Sequence, residues 1–118
     1  MQYLLMLYID EAAAARMTPA EMAEGGAAYT AYTEALKQAG VLRGANRLQS
    51  TAAATTVRLV DGKPQVLDGP FADSKEQLGG YYLIETPDLD AGLAWAARCP
   101  TVGHGVVELR PLWEMAAA

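Results

Sequence analysis

The residues best suited to chemistry crowd into one stretch, "DGPFADSKEQLGGYY", residues 68 to 82. It sets two aspartates, a lysine, a glutamate and two tyrosines around a Gly-Pro corner and a Gly-Gly pair. A carboxylate beside a pocket can take or deliver a proton, so Asp68 and Asp73 are candidate catalytic groups, with Lys75 as a candidate ligand contact. His104, the only histidine, lies in "TVGHGVV" between two glycines. With a carboxylate neighbour it would titrate near neutrality and serve as acid or base. Tyr29 is the fourth candidate catalytic group, and Tyr32 and Tyr81 are candidate ligand contacts, since tyrosines combine a flat apolar wall with a hydroxyl.

Each of these residues also has a purely structural reading. Asp73-Ser74-Lys75-Glu76 has the spacing of a capping box, in which Asp73 caps a single helical turn and Gly79 ends it in a left-handed conformation. Asp68 can fold back on its own turn as an Asx-turn. Phe71, the only phenylalanine, can plug the loop onto the core. His104 can be an exposed loop residue ahead of the last strand, and the tyrosines can be core with hydroxyls at the rim. Both readings stay open at this level.

Other chemistries find no residues to carry them. One histidine and one cysteine cannot make the common transition-metal sets, and no calcium-loop pattern occurs, so no metal is expected. Phosphate-cradling glycine motifs, the G-x-S-x-G elbow and S-x-x-K are absent, so no cofactor or nucleophilic serine is implied. The net charge is -5, with nine scattered basic residues, which argues against nucleic-acid binding. "MQYLLMLYID" has a seven-residue apolar run closed by an aspartate, neither a signal peptide nor a membrane span. A single cysteine, Cys99, excludes an intrachain disulfide and suits a reducing cytoplasm. Just before Pro100, at the negative end of a helix, it reads as a small buried hydrophobe.

The elements that must position these residues follow from pattern. At 118 residues with 52 % apolar and 19 % charged, a single domain over residues 1–115 is expected, with 116–118 as a disordered tail. "YLLMLYI" is a strand apolar on both faces. Thr18-Pro19-Ala20-Glu21 starts a helix with a capping box, running to about Ala39 and stopped by Gly40. Its expected buried stripe is Met22, Gly26, Tyr29, Tyr32 or Thr33, Leu36 and Ala39, and the Gly25-Gly26 pair implies a bend or a close backbone approach.

Short segments follow, "NRLQS", "TTVRLV" and "KPQVLD", the last two joined by Asp61-Gly62, a strong hairpin signal. "GYYLIET" is a second strand with two apolar faces. Thr86-Pro87-Asp88 opens a second helix to about Arg98, with Leu89, Leu93, Ala96 and Ala97 as its stripe. "GVVELRPLW" closes the chain. Two β-α-β units predict a ferredoxin-like α+β sandwich: an antiparallel sheet with two helices on one face and an added β-hairpin. Two helices cover only one face, so a homodimer packed sheet to sheet is expected.

"DGPFADSKEQLGGYYLIETPDLDAGLAWAARCP" and the closing "VELRPLWEM" resemble the DGPF-motif branch of the YCII-related domain family, from "YLLMLY" to Met115. The resemblance implies a dimeric α+β barrel. It also implies either cofactor-independent acid–base chemistry on a small metabolite or a non-catalytic role as a ligand-binding or regulatory partner, since some genes of this branch lie beside extracytoplasmic-function sigma factors. The wider family includes a dehydrochlorinase acting on a hydroxylated aromatic ring. A histidine on its first helix and an aspartate on a neighbouring strand are proposed there as an acid–base pair. In an ungapped placement Tyr29 stands where that histidine would be.

Overall fold

The computed structural model describes residues 1–114; the expected tail at 116–118 lies outside the described residues. The chain runs β1 (Gln2–Ile9), the short α1 (Glu11–Ala14), α2 (Pro19–Gln38), β2 (Leu42–Arg47), β3 (Thr55–Val60), β4 (Lys63–Asp68), β5 (Gln77–Glu85), α3 (Leu89–Arg98) and β6 (Val106–Pro111). Two single 3₁₀ turns, Thr51–Ala53 and Pro100–Gly103, precede β3 and β6. Among the described residues no helix is long and apolar enough to cross a membrane.

Local signals set the boundaries. Thr18 Oγ1 accepts the Glu21 N–H at 3.1 Å while Glu21 Oε1 accepts the Thr18 N–H at 3.0 Å. This closes the capping box at the start of α2 and holds the Glu21 carboxyl below its ordinary range. Asp88 caps α3, its carboxylate accepting the Ala91 N–H at 2.9 Å. Asp61 and Gly62 take φ of 52° and 76°, positive at both central positions as a two-residue type I′ hairpin turn demands.

β2, β5, β1 and β6 form one antiparallel sheet in that order, while β3 and β4 pair only with each other. This is the ferredoxin-like order with an added hairpin. Alternation on the sheet sends Tyr3, Leu5 and Leu7 of β1 and Tyr82 and Ile84 of β5 to one face, where Tyr32 and Leu36 of α2, Ala96 of α3 and Cys99 at its end complete the core. The opposite face carries Leu4 against Leu83 and Met6 against Tyr81, partly buried side chains over which no helix or strand lies among the described residues.

Several expectations need correcting. The first β2 signal lies earlier than "NRLQS": the strand is Leu42–Arg47, and Leu48–Ser50 follow it. On α2 only Tyr32 and Leu36 are buried. Met22 is 58 % exposed, and nothing approaches Gly26, because the first half of the helix runs beyond the sheet that would cover it. On α3 the expected Leu89 and Leu93 are 47 % and 48 % exposed. The helix instead sits down on Gly92, where a Cβ would stand 3.3 Å from both Tyr3 and Leu109. A glycine contact has turned the helix away from its leucines. No helical turn forms at 73–76, so Asp73 and Glu76 cap nothing there, and Gly79 lies inside β5. It is not among the positive-φ glycines. The chain there is ordered differently, with Ser74 Oγ donating to the Glu76 carbonyl and Gln77 Nε2 to the Ser74 carbonyl. Nor can Asp68 make an Asx-turn, which needs an N–H two residues on: that residue is Pro70.

Candidate functional site

Where α2 packs on the sheet, two hydroxyl pairs tie three elements together, linked to each other through the Tyr29 carbonyl. Tyr29 and Thr33 lie one turn apart on α2 and so share a face. The 3₁₀ turn after α3 brings up Thr101, and β5 supplies Tyr82. Tyr29 Oη lies 2.5 Å from Thr101 Oγ1, and Thr33 Oγ1 lies 2.8 Å from Tyr82 Oη. Thr33 Oγ1 also donates to the Tyr29 carbonyl at 2.8 Å. Its single hydrogen is thereby used, so the Tyr82 hydroxyl is the donor to Thr33. Thr101, fully buried, has the Cys99 Sγ at 3.5 Å as a donor.

This cluster is protonated and stays so. Burial pushes the Tyr29 phenol up, against the opposing pull of the Thr101 hydrogen bond and the more distant Arg47 guanidinium. Burial likewise raises Tyr82, offset in part by Thr33. Phenols whose charged form is disfavoured act as hydrogen-bond donors and acceptors, not as bases. Tyr32 backs the cluster: it is 5 % exposed, packs edge-on to Tyr82 with centroids 5.2 Å apart, and donates its hydroxyl to the Trp95 carbonyl at 2.7 Å. Burial raises its phenol too. It is a post in the core, not the ligand wall expected of it.

The remaining expected site residues do not converge. Tyr81 is on the sheet face away from the helices, accepting a hydrogen bond from Asn46 Nδ2 at 2.7 Å. Asp73 and Lys75 are exposed on the segment after β4, and His104 is exposed at the end of the 3₁₀ turn. Asp68 is exposed at the end of β4, where it lines a shallow depression of about 160 Å³ with Phe71 and Arg58. Phe71 is 78 % exposed, with the Arg58 guanidinium 5.5 Å from its ring centre, so it plugs no core. A second open depression, about 410 Å³, lies along Arg47–Ser50. Among the described residues no cluster of three or more metal-ligating side chains occurs.

Thr33 and Thr101 are the partners that sequence reasoning missed. Thr33 was legible as the residue four places after Tyr29. Thr101 had no such signal, because Tyr29, its hydroxyl partner, is 72 positions away in the chain.

The model of the YCII-related domain matches residues 1–116. The chain belongs to the YCII-related domain family. An uncharacterised protein of Rhizobium meliloti (strain 1021) is 36 % identical over 114 residues, 95 % of this YCII-related chain and 92 % of that protein. Among solved structures, the 5-chloro-2-hydroxyhydroquinone dehydrochlorinase of Burkholderia phenoliruptrix AC1100, in complex with 2,5-dihydroxybenzoquinone, superposes with a TM-score of 0.52. That match covers 98 % of this chain and 96 % of the dehydrochlorinase at 16 % identity, a likeness of fold.

Proposed function

We propose that this YCII-related chain is a homodimer that binds a small, flat, oxygen-rich molecule at the Tyr29–Thr101 end of the sheet. The observation that carries this is the hydroxyl cluster itself, with Tyr29 half-buried at its outer edge and hydrogen-bonded at 2.5 Å to a fully buried threonine. If Thr101 gives its hydrogen to the Tyr29 oxygen, the Tyr29 O–H is left to meet a carbonyl or phenolate oxygen of a ligand. Among the described residues no carboxylate or imidazole hydrogen-bonds to the cluster, so binding stands ahead of acid–base turnover. Dimerisation rests on the uncovered sheet face around Leu4, Met6 and Leu83, an apolar surface of the kind two-fold association buries.

The ligand bound in the dehydrochlorinase structure supplies a probe of the right chemistry. Calorimetric titration with 2,5-dihydroxybenzoquinone and its mono-hydroxy and methoxy analogues should show saturable binding. Affinity should fall about tenfold in Tyr29→Phe, the size of one lost hydrogen bond to a polar ligand, and stay at the wild-type level in Asp68→Asn. Equal affinity in Tyr29→Phe and wild type would remove the cluster from the site. A loss in Asp68→Asn would restore that aspartate as the functional group.

A further inference from the structure

The β3–β4 ribbon projects from the body of the protein. Its register sets Val57 opposite Val66 and Leu59 opposite Pro64, so one face is continuously apolar, with Val57, Leu59 and Val66 exposed by 62 %, 70 % and 62 %. An isolated two-stranded ribbon is marginal in water. Here, nonetheless, its root is firmly tied. The Glu11 carboxylate accepts both the N–H and the hydroxyl of Thr51, Gln77 Oε1 accepts the Glu11 N–H at 2.9 Å, and Thr56 Oγ1 donates to the Gly69 carbonyl at 2.7 Å. The arm is held out in a set direction with its apolar face bare. The outcome is a slab of 49 × 48 × 18 Å with a radius of gyration of 16.5 Å, against about 13 Å for a compact chain of this length.

We propose that the arm lies on a second copy of this chain, so that the Val57, Leu59 and Val66 face of each protomer clasps the other. This rests on the homodimer proposed above and deepens it. Area argues for it. Four strands about 4.8 Å apart, each contributing about six residues of about 3.4 Å, give the open sheet face a footprint of roughly 400 Å². A stable interface takes about 800 Å² from each partner. One face of the arm covers roughly 200 Å² by the same spacings, and in a two-fold pair every protomer both gives an arm and receives one, which makes up the shortfall. The arm also leaves the body between the end of β2 and the start of β5, and β5 carries Tyr81 and Leu83 of the open face, so sheet contact and clasp are continuous.

Sedimentation equilibrium of the full chain over a wide concentration range tests this with the Val57→Asp, Leu59→Asp double variant, with Val66→Lys as an independent break of the same face and Arg58→Asp on the opposite face as control. Circular dichroism confirms folding, since none of these side chains is buried. The dimer Kd should rise about thirtyfold or more in both face variants, the effect of losing an interface hot spot, and change less than about threefold in the control. A wild-type dimer whose Kd is unmoved by either face variant overturns the clasp and leaves the sheet-to-sheet dimer standing. A wild type that is monomeric throughout overturns both.

Discussion

The four-stranded sheet and the β3–β4 arm are both antiparallel and both rich in Val and Leu, yet they differ completely in what lies over them. Leu5 and Ile84 on the sheet are fully buried, under α2 and α3. Every residue of β4 is exposed. Alternation of apolar side chains therefore marks a surface that needs a cover without saying which element, or which chain, supplies it.

Substitutions at matched positions should widen that difference. Ile84→Ala, which empties a site with no exposed surface, should cost about 2–5 kcal/mol in urea unfolding at fixed protein concentration; a cost below about 1 kcal/mol would mean the core there is loosely packed. Thr101→Val keeps the shape but strands the Tyr29 hydroxyl, and should cost about 1–3 kcal/mol. The same cluster predicts an alkaline limit. Burial raises the Tyr29, Tyr32 and Tyr82 phenols above 10.0 in the fold, so above that pH the unfolded chain releases protons that the folded protein keeps. Stability is thus complete below pH 10.0 and falls as pH climbs through the folded pKa values. Urea midpoints on either side of pH 10.0 should show this fall, lessened in Tyr29→Phe, and a flat profile would contradict it.

Thr18→Ala removes one half of a formed capping box and should cost about 1 kcal/mol. At the small end, Leu67→Ala on the arm's other face and Asp73→Ala on the segment after it should each stay within about 0.5 kcal/mol of wild type. A full 1 kcal/mol at Asp73 would restore the cap that the structure lacks.

Much of the fold was legible because its signals are local. Thr18, Pro19 and Glu21 sit within four residues and close their box as spaced. Asp61-Gly62 makes its turn with its own two dihedrals, and the apolar run "YLLMLYI" marks a strand, though being apolar on both faces it does not say which side chains reach the helices. Legibility ended where geometry between distant segments decides. The leucines of α3 looked like its core face until Gly92 let Tyr3 and Leu109 press against the helix backbone. "DSKE" has the letters of a capped turn, but β5 begins at Gln77 and leaves no room for a helix to follow. The candidate site suffered most: the charged residues that look chemical in sequence lie apart and exposed. Tyr29 reached a site only because Thr101 arrived from the far end of the chain.

Cys99 offers a use for that buried junction. With its thiol fully enclosed beside Thr101 and no other cysteine in the chain, a thiol reagent can reach it only when the end of α3 lifts away. The rate of labelling is then a clock for that one opening, readable as ligand is added, and a molecule seated against Tyr29 and Thr101 should slow it.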